Sequence, residues 1–165
     1  MKALLLSPKI SFARSRLSSA ALLAILASVL CSYHSAWGRL GENAASIETD
    51  RQQLSGQIQT YAGTGFNVSE ITAPDGTTVR EYVAPDGTVF AVAWRGSRAP
   101  NLSSLLGNYY GEYRDAAVQG PFALHHSSVK TAHIMVETGG PMRALWGRAI
   151  VPSLVPSGVN PDVIK

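Results

Sequence analysis

The stretch Ala73-Pro74-Asp75-Gly76-Thr77 recurs eleven residues later as Ala84-Pro85-Asp86-Gly87-Thr88, and this repeat decides the fold of the chain. In each copy proline presets the first turn position, aspartate can cap its own backbone and glycine accepts a positive φ. Each copy therefore predicts a type I turn that closes a hairpin through a glycine bulge. Residues 66–72, 78–83 and 88–94 around the turns are strand-like, which predicts a three-stranded β-meander.

The third predicted strand, Val89-Phe90-Ala91-Val92-Ala93-Trp94, is apolar throughout. A strand with two apolar faces is central in its sheet or covered on both sides. The middle strand, 78–83, instead alternates between two kinds of side chain, which predicts two unlike faces.

The remaining segments predict a short, weakly amphipathic helix over 43–54 with Asn43 as its N-cap, a second helix and a second hairpin. A stripe of large apolar residues at helical spacing favours a helix that opens at Asn101. Strands at 133–138 and 143–150 flank Gly139-Gly140-Pro141-Met142, and the proline-rich tail 152–165 carries apolar residues that need cover. The predicted fold is α+β: an antiparallel sheet of about five strands, the meander plus the C-terminal hairpin, with one amphipathic helix packed on a face.

The N-terminal 38 residues have the pattern of a secretory signal peptide. A basic start is followed by an apolar run over 17–30, which is short for a membrane span, and by the small-x-small triplet Ala36-Trp37-Gly38. Cleavage is predicted before Arg39, which leaves a single domain over 39–165. The mature protein is then expected to be periplasmic or secreted, without a stable membrane span.

Charge and cysteine content exclude several functions for the predicted mature domain. Of the 14 lysines and arginines four lie in the leader, which leaves ten against eleven acidic residues. A near-neutral domain is not expected to bind nucleic acid, because phosphate binding needs a basic surface. The single cysteine, Cys31, lies in the leader, so disulfides and thiol nucleophiles are excluded. Lipidation of Cys31 is disfavoured by Leu30, since such sites prefer a small preceding residue.

Two sets of side chains are candidates for chemistry. His125, His126, His133 and Glu137 offer metal-ligating groups and would suit a metal-assisted or other hydrolase. Their spacing matches no ligand motif, and the chain has no nucleophile elbow, so no catalytic residue and no cofactor are predicted. The glutamates at 70, 81, 112 and 137 are expected on solvated faces.

The second set is aromatic and could line a groove for a peptide, glycan or apolar ligand. The alternative is that the tyrosines pack the helix on the sheet. The set comprises Tyr82, Trp94, Tyr109, Tyr110, Tyr113 and Trp146.

Three runs together resemble a family of small exported Gram-negative bacterial proteins that is catalogued as a domain of unknown function. These runs are 73–95, Leu105-Leu106-Gly107 with its tyrosines, and Gly139 to Ala144. The resemblance implies an exported protein and assigns no catalytic residue. A non-catalytic binding or interaction module with an unknown protein or envelope partner is the leading hypothesis. The alternatives are the hydrolase and an inhibitor of a secreted or envelope enzyme that presents a hairpin loop, 84–88 or 139–142.

Overall fold

A single antiparallel sheet of seven strands organises the computed structural model, which describes residues 40–119 and 126–165. The strands are β1 (Gln57–Gly63), β2 (Phe66–Thr72), β3 (Thr78–Val83), β4 (Val89–Gly96), β5 (His126–Lys130), β6 (Met135–Gly139) and β7 (Leu145–Ile150). Their order across the sheet is β1-β2-β3-β4-β7-β6-β5. The apolar strand β4 is therefore central, as predicted.

Both repeated turns adopt the predicted conformation. The Oδ1 atom of Asp75 accepts a hydrogen bond of 2.9 Å from the amide of Thr77, and Asp86 caps the second turn in the same way. The glycine of each turn has a positive φ, 81° at Gly76 and 88° at Gly87. The meander of β2, β3 and β4 is thereby confirmed.

The prediction of about five strands is wrong, because β1 and β5 were not expected. All seven residues of β1 are exposed, so its sequence carries no alternation of buried and solvated positions. In β5 only Val129 is buried. The turn of the β1–β2 hairpin lies at Thr64 and Gly65, where Gly65 has a φ of 83°.

The described residues form two helical regions: the short helix predicted over 43–54, and the helix predicted to open at Asn101, which is interrupted. The first is α1 (Ile47–Gln53), preceded by the 3-10 turn Ala44–Ser46. The second is divided into α2 (Leu102–Leu106), the 3-10 turn Gly107–Tyr109 and α3 (Tyr110–Gln119). Gly107 divides it because its φ is 51°, outside the helical range. Among the described helices, none is both long and apolar enough to cross a membrane.

The two faces of the sheet have different covers. The helix face packs against α1, α2 and α3 through a cluster that includes Ile71, Val79, Val92 and Leu106. The tail face is covered by the C-terminal segment 152–165, whose 3-10 turns are Pro152–Leu154 and Pro161–Val163. Ile164 is fully buried there beside Phe90, which confirms the predicted packing of the tail.

Candidate functional site

Charged side chains lie in two adjacent rows across the tail face. Residues that are directly opposite on neighbouring strands share a face, and so do residues two apart on one strand. The first row runs Glu70, Arg80, Ala93, Arg148 and Glu137. The second row runs Thr78, Arg95, Trp146, Gly139 and His126. Three arginines therefore surround the small side chain of Ala93.

A groove of about 470 Å³ lies over these rows, and we call it the arginine groove. The tail segment forms one wall of it through Ile164 and Lys165. Its lining residues include four cations and one carboxylate, and Trp146 lies on the same face beside Arg95. The charged lining residues are Arg80, Arg95, Arg148, Lys165 and Glu137. A largely positive groove thus lies on a domain with a near-neutral sequence.

Two of the three arginines are held by structural partners. Arg148 donates from Nε to Glu137 at 2.7 Å, which forms a cross-strand ion pair, and its Nη1 donates to the carbonyl of Ile164 at 3.2 Å. Arg80 pairs with Glu70 and donates to the carbonyl of Lys165 at 3.0 Å. The hydrogen bond to Glu70 raises the pKa of Arg80 above its ordinary value, so this side chain stays charged. Both arginines fasten the tail to the sheet.

Arg95 differs from the other two arginines. Its side chain is exposed, and within the described residues it makes neither an ion pair nor a hydrogen bond. It lies opposite Thr78 on one side and Trp146 on the other. A guanidinium group in this position has its full set of donors available to a ligand.

The predicted aromatic set divides between the two faces. Tyr82 and Trp94 are 3% and 4% exposed and belong to separate core clusters. Tyr109, Tyr110 and Tyr113 pack half-buried on the helix-face cluster, as the alternative for the tyrosines anticipated.

Trp146 connects two concave surfaces. With Trp94 it lines the arginine groove and a second cleft of about 270 Å³, which also includes Tyr113. Of the six predicted ligand-binding residues, the structure therefore brings three to grooves. Their ligand-binding role stays a prediction.

The predicted metal ligands have separate partners. The ring of His126 lies 5.8 Å from that of Trp146, whereas Nδ1 of His133 lies 3.1 Å from a carboxylate oxygen of Glu112. His133 precedes β6 instead of lying on it. Hydrogen bonds from Thr131 and His133 lower the pKa of Glu112. Glu137 is engaged by Arg148, and His125 lies outside the described residues. Across 40–119 and 126–165, no three His, Cys, Asp or Glu residues are grouped to hold a metal ion.

The two hairpin loops considered for an inhibitor differ in exposure. The 84–88 turn is bound to the chain before α1, because Gly87 accepts a hydrogen bond of 2.8 Å from the amide of Ala44. The loop between β6 and β7 instead projects, with Met142 92% exposed and Arg143 at a φ of 69°.

A buried pair of carboxyl groups lies on the opposite, helix face. Asp50 of α1 and Glu81 of β3 are 2% and 0% exposed, and their two carboxyl groups lie close enough to interact electrostatically. Burial, and then the charge of Asp50, raise the pKa of Glu81 well above its ordinary value. The expectation of a solvated face is wrong for Glu81, because α1 covers this part of β3. Neither residue lines the arginine groove or the second cleft.

The arginine cluster was not predicted from the sequence. In the sequence Arg80 lies in an alternating strand and Arg148 in the C-terminal hairpin, and Arg95 follows the apolar strand without any motif. The signal that could have identified these arginines is the alternation of side chains along a strand. Because residues two apart lie on the same face, Arg95 shares a face with Ala93, and Arg148 shares one with Trp146. Using that signal requires the order β3-β4-β7, which joins strands that are distant in sequence.

Comparison with known proteins gives one match. The family model described as "Protein of unknown function (DUF2844)" matches residues 36–164, which is most of the chain and confirms the resemblance to a family of unknown function. No curated protein and no solved structure matches the chain. The chain therefore belongs to the DUF2844 family.

Proposed function

We propose that this chain is an exported, non-catalytic binding module that holds an anionic ligand in the arginine groove. The observation that carries the proposal is Arg95, an exposed guanidinium without a partner in the described chain, set among three further cations. Like charges on neighbouring strands repel one another. Carboxylates offset Arg80 and Arg148, whereas the charge of Arg95 is left for a ligand.

The chemistry of the groove favours a carboxylate or a phosphate. A guanidinium group presents a planar fork of donors that matches both anions with two hydrogen bonds. Trp146 offers a ring beside Arg95, which suits a flat or sugar-like body next to the anionic group. The volume of about 470 Å³ falls in the range of sites for small ligands or for one unit of a longer chain.

Binding without catalysis is supported by the state of Glu137. It is the carboxylate among the charged lining residues of the groove, and Arg148 holds it at 2.7 Å, so it is poorly placed to act as a general base. The export component is supported by the leader pattern over 1–38. The family model begins at residue 36, close to the predicted cleavage point. The envelope partner expected from the sequence would then be recognised through an anionic group.

The test is titration of the purified chain at low salt with inorganic phosphate, galacturonate and galactose, followed by calorimetry and by thermal stability. We expect galacturonate or phosphate to bind and galactose not to bind, which separates the anionic group from the sugar ring. Arg95→Gln should weaken binding by about ten-fold or more, the effect of losing hydrogen bonds to a charged group.

The matched control is Arg98→Gln. Arg98 is also exposed, lies three residues further along the chain and is outside the groove. This variant should bind as the wild type does. Equal binding by Arg95→Gln and the wild type, or no anion bound by the wild type, would refute the proposal.

A further inference from the structure

Strand β1 forms one edge of the sheet and is exposed on both faces. Its sequence, Gln57-Ile58-Gln59-Thr60-Tyr61-Ala62-Gly63, contains no charged residue and no proline. It pairs with β2 over all seven residues without a register shift. The strand is thus a regular template, with one row of backbone donors and acceptors directed away from the sheet.

The other edge of the sheet is protected in the ways that natural edge strands use. Strand β5 carries Lys130, and α3 packs beside it. Charges, prolines, bulges and covering helices are the usual means of preventing edge-to-edge pairing. Among the described residues β1 has none of these. It also exposes two large side chains, Ile58 at 38% and Tyr61 at 45%.

We propose that β1 pairs with β1 of a second copy of this chain, antiparallel about a two-fold axis at Thr60. This register engages all seven residues, because each position pairs with the position equally far from Thr60 on the other side. It places Ile58 opposite Ala62 of the second copy, and Gln57 opposite Gly63. Gln59 lies opposite Tyr61, so a long polar side chain covers the exposed ring.

The sequence of β1 favours a second copy over a different partner. In the proposed register large side chains oppose small ones at the outer positions, so the strand is complementary to itself. Because the strand is uncharged, two copies meet without like-charge repulsion. A two-fold contact through one shared patch is also the commonest arrangement of homo-oligomers. The product is one continuous sheet of two domains, which leaves both arginine grooves away from the contact.

The first test is the mass of the purified chain in solution, measured by sedimentation equilibrium over roughly a hundred-fold range of concentration. The wild type should form a dimer. Thr60→Lys places two ammonium groups opposite each other on the axis and should weaken the dimer by about ten-fold. Val118→Lys adds the same charge to an 81% exposed position on α3 and should leave the dimer unchanged.

The second test uses the Cys31→Ser background, which has no other cysteine. Thr60→Cys should form a symmetric intermolecular disulfide on mild oxidation, since residues that face each other across an antiparallel pair meet the distance requirement. Thr64→Cys, in the β1–β2 turn, should not. A monomeric wild type, a dimer that Thr60→Lys leaves intact, or a dimer that Thr60→Cys fails to cross-link would overturn the proposal.

Discussion

Replacing Glu81 by glutamine should remove a fall in stability that the wild type shows as the pH rises. Glu81 is fully buried beneath α1, and burial together with the charge of Asp50 raises its pKa. The folded chain therefore keeps a proton on Glu81 at pH values where the unfolded chain has lost it. Glutamine has the same shape, and its amide can donate a hydrogen bond to Asp50.

The sign and size of the effect follow from proton linkage. In the unfolded chain a glutamate ionises near its ordinary pKa of 4.5. Above that value, and up to the raised pKa of the folded state, the fold binds one more proton than the unfolded chain does. The contribution of Glu81 to the free energy of unfolding is therefore greatest below pH 4.5 and falls by up to about 1.4 kcal/mol per pH unit above it. A span of roughly two pH units corresponds to about 3 kcal/mol.

The measurement is urea unfolding from roughly pH 5 to pH 8, followed by tryptophan fluorescence, for which the buried Trp94 is a suitable reporter. The Glu81→Gln variant should have a level profile and exceed the wild type at the alkaline end. Asp162→Asn removes an exposed carboxylate and should keep the wild-type slope. A wild-type free energy of unfolding that stays level or rises with pH would refute the reasoning, as would a Glu81→Gln variant with the wild-type slope.

Three further predictions concern other parts of the chain. Gly147→Ala should destabilise the fold by about 2 kcal/mol or more, because a Cβ atom would lie 2.2 Å from the Trp94 ring; unchanged urea unfolding would contradict this. Tyr82→Phe removes two hydrogen bonds between its hydroxyl and the backbone of Lys165, so limited proteolysis should cut the tail faster than in the wild type, and equal rates would contradict the tail contact. Mass spectrometry of the chain from its natural host should find Arg39 as the first residue; an intact initiator methionine would contradict export.

Local chemistry made part of the fold predictable. The two Pro-Asp-Gly turns were identified because proline, aspartate and glycine act on their own backbone, without help from the rest of the chain. The apolar sequence of β4 likewise indicates its central place. Strand β1 has no such signal, because a strand that is exposed on both faces shows no burial pattern. The break at Gly107 depends on a single φ, which the spacing of the apolar residues does not indicate.

Features that depend on long-range packing were less predictable. Glu81 lies in a strand that alternates as a half-solvated strand does, and nothing near it in sequence indicates that α1 covers it. The arginine groove depends on β7 pairing with β4, across more than forty residues of intervening chain. The aromatic set was identified by residue type, and only the sheet order shows that Trp146 lies beside Arg95 in the arginine groove.

The difference between Arg95 and the other arginines is the strongest reason to assign binding to the tail face. A cluster of arginines on a sheet has an ordinary structural explanation when each guanidinium group binds a carboxylate or a carbonyl. Arg80 and Arg148 have such partners, because they bind Glu70 and Glu137 respectively and both donate to carbonyls of the tail. Arg95 has no such partner among the described residues, although it lies in the adjacent row and repels both other arginines. An anion bound at Arg95 would offset this repulsion as the carboxylates do for Arg80 and Arg148, which is why we place the proposed ligand there.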